Sequence, residues 1–126
     1  MNSLINMLIV EDNSIIANSL VTCFGLDEHF NKLHIAKNGI EALDFLSKQS
    51  YDIVLCDDNM PQMNGWQFIQ VCKQKFPLLP IYFLPDAIDT KTYHSLAKNG
   101  VMAVGIKSSD PDEIITNTLK LFYSQN

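Results

Sequence analysis

Arginine is absent from this 126-residue chain: all nine basic residues are lysine, against fourteen acidic residues, for a formal net charge of −5. Nucleic-acid recognition wants a basic face, usually with arginine for bidentate contacts, so the composition argues against direct DNA or RNA binding. Cysteine is scarce. Cys23, Cys56 and Cys72 are odd in number, form no CxxC pair and sit in apolar segments. They read as buried, reduced thiols, which suits a reducing cytoplasm. Long apolar runs are missing too: none approaches the roughly 20 residues of a membrane helix. Met1 to Val10 is too short for a signal peptide and has no basic start. A cytoplasmic protein without a membrane partner is expected. Linkers, repeats and low-complexity tracts are also lacking. With 47% hydrophobic and 18% charged residues, one folded domain over 1–126 is expected.

What is present is alternation. Short runs rich in Ile, Leu and Val at 4–10, 33–36, 53–56, 81–84 and 101–106 read as strands buried on both faces. Helical patterns separate them. The expected buried stripes are Ile16, Leu20, Cys23 and Phe24 in 14–26; Ile40, Leu43 and Leu46 in 39–49; and Ile69, Cys72 and Phe76 in 65–76. Segment 88–98 holds poor helix formers, with Gly100 placed to close it. In the last helix Asp110 can cap, Pro111 suits the first turn, Glu113 completes a capping box, and Ile115, Leu119 and Phe122 form the stripe. Five such units predict a doubly wound α/β fold, a five-stranded parallel sheet with helices on both faces. Ligands of such sheets bind beyond the carboxyl ends of the strands.

Acidic residues gather at those ends. Glu11 and Asp12 follow the first apolar run, and Asp57 follows the third. Together they suit a hard divalent cation, Mg²⁺, with a backbone carbonyl near Asn59 as a further ligand, and they leave a carboxylate available as nucleophile. An acidic pair at a strand-to-helix turn also serves simply as a helix cap. Lys107, after Val104-Gly105-Ile106, can pair with the cluster and stabilise a phosphoryl oxygen, although a lone lysine is usually a solvated one. Pro61 and Asn64-Gly65 shape a turn beside Asp57. His29, His34 and His94 lack ligand-like spacing and read as surface or strand residues, and Trp66 reads as a packing residue.

These residues resemble the response-regulator receiver family, the phospho-acceptor domains of two-component signalling, over essentially the whole chain. The resemblance is carried by Glu11-Asp12, by Asp52 to Asp57 with Met60-Pro61 and Gly65, and by Lys107. It implies the flavodoxin-like strand order 2-1-3-4-5. It also implies that Asp57 takes a phosphoryl group from the phosphohistidine of a sensor histidine kinase or phosphotransfer protein, with Mg²⁺ present, and that the output passes through a downstream target protein. Mg²⁺ and Lys107 would offset charge in the loose transition state.

Three departures stand out. The family usually has Ser or Thr where this chain has Pro85, which carries neither hydroxyl nor N–H. Asp86 then places a carboxylate where the family has a small residue. Val104 replaces the aromatic that commonly switches rotamer, and Ser108 rather than proline follows Lys107. The alternative is therefore a pseudo-receiver, a protein-binding module that works without phosphorylation. An aspartyl-phosphate hydrolase would want a second acid two residues after Asp57, where Asn59 stands, so the chain is not expected to be an enzyme.

Overall fold

The computed structural model of the chain describes residues 4–58, 60–85, 91, 94, 95, 98, 103–104 and 110–124. The elements are β1 (Ile5–Val10), α1 (Ser14–Gly25), β2 (Phe30–Ala36), α2 (Gly39–Lys48), β3 (Ile53–Asp57), α3 (Gly65–Lys75), β4 (Ile81–Leu84), β5 (Ala103–Val104) and α4 (Pro111–Ser124). All strand pairs are parallel, in the order β2-β1-β3-β4-β5. β5 is the two-residue step Ala103–Val104, paired with Tyr82 and Phe83; the rest of the expected 101–106 run lies outside the described residues. So does most of segment 88–98, of which residues 91, 94, 95 and 98 are helical.

The two-residue period of the strands sorts the core into two layers. Leu8, Val10, Val54, Cys56, Ile81 and Phe83 face α2 and α3, where they meet Ala42, Leu46, Phe68, Ile69 and Cys72. Ile5, Met7, Ile9, Ile53, Leu55, Tyr82 and Leu84 face α1 and α4, where they meet Phe24, Ile114 and Leu121. β1, β3 and β4 are buried almost throughout, as expected of central parallel strands. β2 departs from that expectation. It is the edge strand, and only its ends Phe30 and Ala36 are buried.

That edge is irregular. The β1–β2 register slips between Ile5↔Phe30 and Met7↔Leu33, which marks a bulge. The Asn6 side-chain oxygen accepts from the Lys32 backbone N–H at 3.2 Å, so the bulge keeps its hydrogen bond. On its other side Asn6 donates its own N–H to the Asp52 carboxylate at 2.8 Å. Bulges and polar residues of this kind blunt an open edge against pairing with other chains.

Two helices turn a different face inward from the one expected. In α2 the buried residues are Gly39, Ala42 and Leu46, while Ile40 is 52% exposed. The first turn lies so close to α3 that a Cβ on Gly39 would fall 2.8 Å from Met63 and 2.9 Å from Phe68, so the small residue takes the inner position. In α4 the buried stripe is Ile114, Thr118 and Leu121, one residue off Ile115, Leu119 and Phe122, which are half-buried. Thr118 disguised it: its hydroxyl donates to the Ile114 carbonyl at 2.7 Å, which lets a polar residue occupy the core. In α1, Phe24 is buried with Ala17, and Ile16, Leu20 and Cys23 are half-buried.

Asparagine starts three of the helices. Asn13 accepts from the N–H groups of Ile15 and Ile16, Asn38 from Glu41, and Asn64 from Gln67, which returns the bond in a complete capping box. On α4, Asp110 accepts from the Asp112 N–H at 2.9 Å.

Gly25 closes α1 with nothing within 4 Å of a would-be Cβ. Gly25→Ala is therefore expected to stabilise the fold by about 0.4–1 kcal/mol through the unfolded state, measured as a raised urea midpoint with unchanged slope.

Candidate functional site

Strand register builds the site. Val10 pairs with Cys56, so Glu11 and Asp57, each one step further on, leave neighbouring parallel strands at the same level. Adjacent strands lie about 4.8 Å apart, and the carboxylates of Glu11, Asp12 and Asp57 offer ligand atoms within 4.8 Å of one another. Glu11 is 3% and Asp57 4% exposed, whereas Asp12 faces solvent. Backbone contacts hold the cluster. The Glu11 N–H donates to the Ala36 carbonyl at 2.9 Å. The Glu11 carboxylate accepts from the Asn13 N–H at 3.0 Å, while the Asn13 side chain caps α1.

Concentrating negative charge in so little space, with two of the three groups buried, is costly unless a cation joins them. Among the described residues the donor set consists of carboxylates, with neither histidine nor cysteine. That chemistry fits a hard divalent ion such as Mg²⁺ and does not suit zinc. Expected ligands Glu11, Asp12 and Asp57 are thus brought together. Asn59, Asp86 and Lys107 lie outside the described residues. Pro85 directly follows Leu84, the partner of Asp57 on β4, and is buried. Val104 pairs through its backbone with Phe83.

The loop after Asp57 is held by close approach. A Cβ on Gly65 would fall 2.2 Å from the Asp57 carbonyl oxygen and 2.9 Å from the Asp58 Cα, and the Gly65 N–H donates to the Asp58 carbonyl at 2.8 Å. Gly65, expected as a turn residue and as part of the family motif, is required here because backbone packs against backbone. Gln62 has φ of 67°, the left-handed region. Trp66, half-buried, packs on the core beside this loop as expected.

Other groups behave differently from the acids. Burial, and then the Asp57 carboxylate, push the Cys56 thiol well above its usual range. Burial carries Cys72 up to about 11, with Lys73 pulling it down. Both are inert neutral thiols, and the three cysteines are free. His34 has a partner that spacing did not suggest: its Nδ1 lies 2.6 Å from the Tyr51 hydroxyl, and its ring stacks on Phe45. A cavity of about 690 Å³ lies at the opposite end of the sheet, between Leu46, Tyr51, Phe76, Leu79 and Phe122, away from the acidic cluster. No helix among the described residues is long and apolar enough to cross a membrane.

Comparison with known proteins agrees with this fold. Residues 7–118 match the response regulator receiver domain. The response regulator Rre1 of Synechocystis sp. (strain ATCC 27184 / PCC 6803 / Kazusa) is 33% identical over 112 residues, which are 87% of this chain and 48% of that protein. The uncharacterized transcriptional regulatory protein YhcZ of Bacillus subtilis (strain 168) is 28% identical over 109 residues, 86% of this chain and 51% of that protein. This chain therefore spans about half the length of those relatives. The receiver domain of the Francisella response regulator 1452 superposes with a TM-score of 0.88 at 22% identity, covering 97% of this chain and 99% of that one. The chain belongs to the response-regulator receiver family of two-component signalling, with its flavodoxin-like parallel sheet.

Gly65→Ala forces the Asp57 strand end and α3 apart and is expected to cost about 2–3 kcal/mol, seen as a lowered urea midpoint. The Cys72 thiol sets a pH dependence. An unfolded thiol titrates near 9 and the buried one at about 11, so the unfolded chain releases its proton first. Stability contributed by this group is intact below pH 9 and is lost as pH rises toward 11, which denaturation at pH 8 and pH 10.5 measures.

Proposed function

We propose that the chain is a phospho-acceptor receiver acting as one unit over residues 1–126, in which Asp57 accepts a phosphoryl group from the phosphohistidine of a sensor histidine kinase or a phosphotransfer protein. The observation that carries this reading is the joint placement of Glu11, Asp12 and Asp57, with ligand atoms within 4.8 Å and Asp57 at the end of a central strand. Glu11, Asp12 and Asp57 would hold Mg²⁺, with a backbone carbonyl near Asn59 as a further ligand. The ion supplies charge neutralisation at the transferring phosphoryl group when bound.

The chain's own part is positional. An Asp57 carboxylate oxygen forms the new bond to phosphorus as the donor's P–N bond breaks, and the imidazole leaves with the electron pair and takes up a proton. The neighbouring backbone and Gly65 fix Asp57 for that attack. Lys107, following β5, is assigned to an oxygen of the transferred group. Pro85 offers that group no donor, Asp86 adds like charge, and Val104 is no aromatic switch, so the output differs from the usual hydroxyl–aromatic route. The domain passes a signal to a target protein in the cytoplasm and turns over no substrate of its own.

Incubation with Mg²⁺ and acetyl phosphate, followed by intact-mass measurement, is expected to add one phosphoryl group to the wild type and none to Asp57→Asn. A folded wild type that gains nothing, even from a kinase, would favour the phosphorylation-independent module instead.

A further inference from the structure

We infer that Asn38 couples Asp57 to the first turn of α2 through the loop at 60–64, so that a change of charge at Asp57 alters that turn. The acceptor reading above supplies the natural cause of such a change, and the coupling deepens it by naming a route by which the state of Asp57 is reported.

Described residues carry the route from the end of β3, by way of Gly65, to α2. At one end the loop is fastened to the end of β3, where Gly65 lies against the Asp57 carbonyl and donates to Asp58 at 2.8 Å. At its centre Gln62 adopts a left-handed φ of 67°, and the Met63 N–H bonds back to the Pro61 carbonyl at 2.7 Å. A non-glycine residue holds that conformation only while its surroundings impose it. The turn's own Met63-to-Pro61 bond holds it first, and α2 adds two longer contacts. The Gly39 N–H points to the Met63 carbonyl, and the Asn38 amide nitrogen to the Gln62 side-chain oxygen, each at 3.4 Å. The Met63 side chain fills the space a Cβ on Gly39 would take.

Asn38 is the joint because one amide serves both sides. Its oxygen accepts from the Glu41 N–H at 2.8 Å and caps α2, while its nitrogen holds Gln62. Bonds of 3.4 Å are long and weak, so the loop side yields first. The proposed coupling requires two loop arrangements close in energy, and a positive-φ residue joined to α2 by long bonds is where they would arise, biased by the charge at Asp57. If the loop releases Gln62, the Asn38 amide is free to turn and the cap on Glu41 weakens with it. Coupling of this kind is reciprocal, so whatever firms the α2 cap also shifts the equilibrium at Asp57. Pro85 and Val104 lack the hydroxyl and the aromatic ring that the family commonly uses at those places.

The test is amide hydrogen exchange on the full chain, without metal, at Glu41 and Ala42, whose N–H groups bond to Asn38. Asp57→Asn is expected to change exchange there by about fivefold or more, the lower end of typical coupling. The change should vanish in the Asn38→Ser background, where the hydroxyl keeps the cap but no amide reaches Gln62. Gln62→Gly, which relieves the left-handed φ and removes the other partner, is the second uncoupling variant should Asn38→Ser be poorly folded. Unchanged exchange in Asp57→Asn overturns the coupling, and so does a change that survives in the uncoupled background. The phosphoryl gain by mass is scored separately: its absence alongside an intact exchange response would overturn the acceptor reading and leave the coupling standing.

Discussion

Everything at this site depends on β1 and β3 running parallel, in register and ending together. That register places Glu11 and Asp57 side by side at nearly zero exposure, with Asp12 above them in solvent. Buried neighbouring carboxylates work against the stability of a fold unless their charge is used. Here the cost falls on the best-buried part of the sheet, between two full hydrophobic layers. A rigid base of that kind can hold a strained arrangement that a loop-borne site would relax.

The same rigidity governs what can move. Gly65 fixes the far end of the loop after Asp57 by backbone contact, while the bonds that join the loop to α2 are long. Tight anchoring at the chemistry and weak anchoring at the periphery is the distribution expected of a domain that signals, because low-stability segments are the ones that change state. The inert thiols of Cys56 and Cys72 fit this picture, since they fill the layer beneath the acid cluster without adding charge to it.

Much of this was legible in the sequence. Alternating strand and helix patterns gave the doubly wound fold, and carboxylates past two strand ends gave the acidic cluster, because both depend on local pattern plus the topology rules of parallel sheets. The misses are of another kind. Thr118 hid the inner face of α4 because its hydroxyl is satisfied within its own helix. Ile40 carries the apolar signal of α2, but hydrophobicity cannot report that Met63 and Phe68 leave room for a glycine at the inner position of its first turn. The His34–Tyr51 pair and the double role of Asn38 join residues distant in sequence, which no spacing rule encodes. The exposure of β2 followed from its place at the sheet edge, which its composition did not mark.

Glu11, Asp12 and Asp57 are proposed to act together as one cation site at the end of β3. The most direct measurement is calorimetric titration of Mg²⁺ into the wild type and Asp12→Ala, the exposed member whose loss least disturbs the core. One saturable site in the wild type, abolished in Asp12→Ala with the fold intact, is the predicted result. Identical titrations for the two proteins, or no saturable binding in a folded wild type, would contradict the claim.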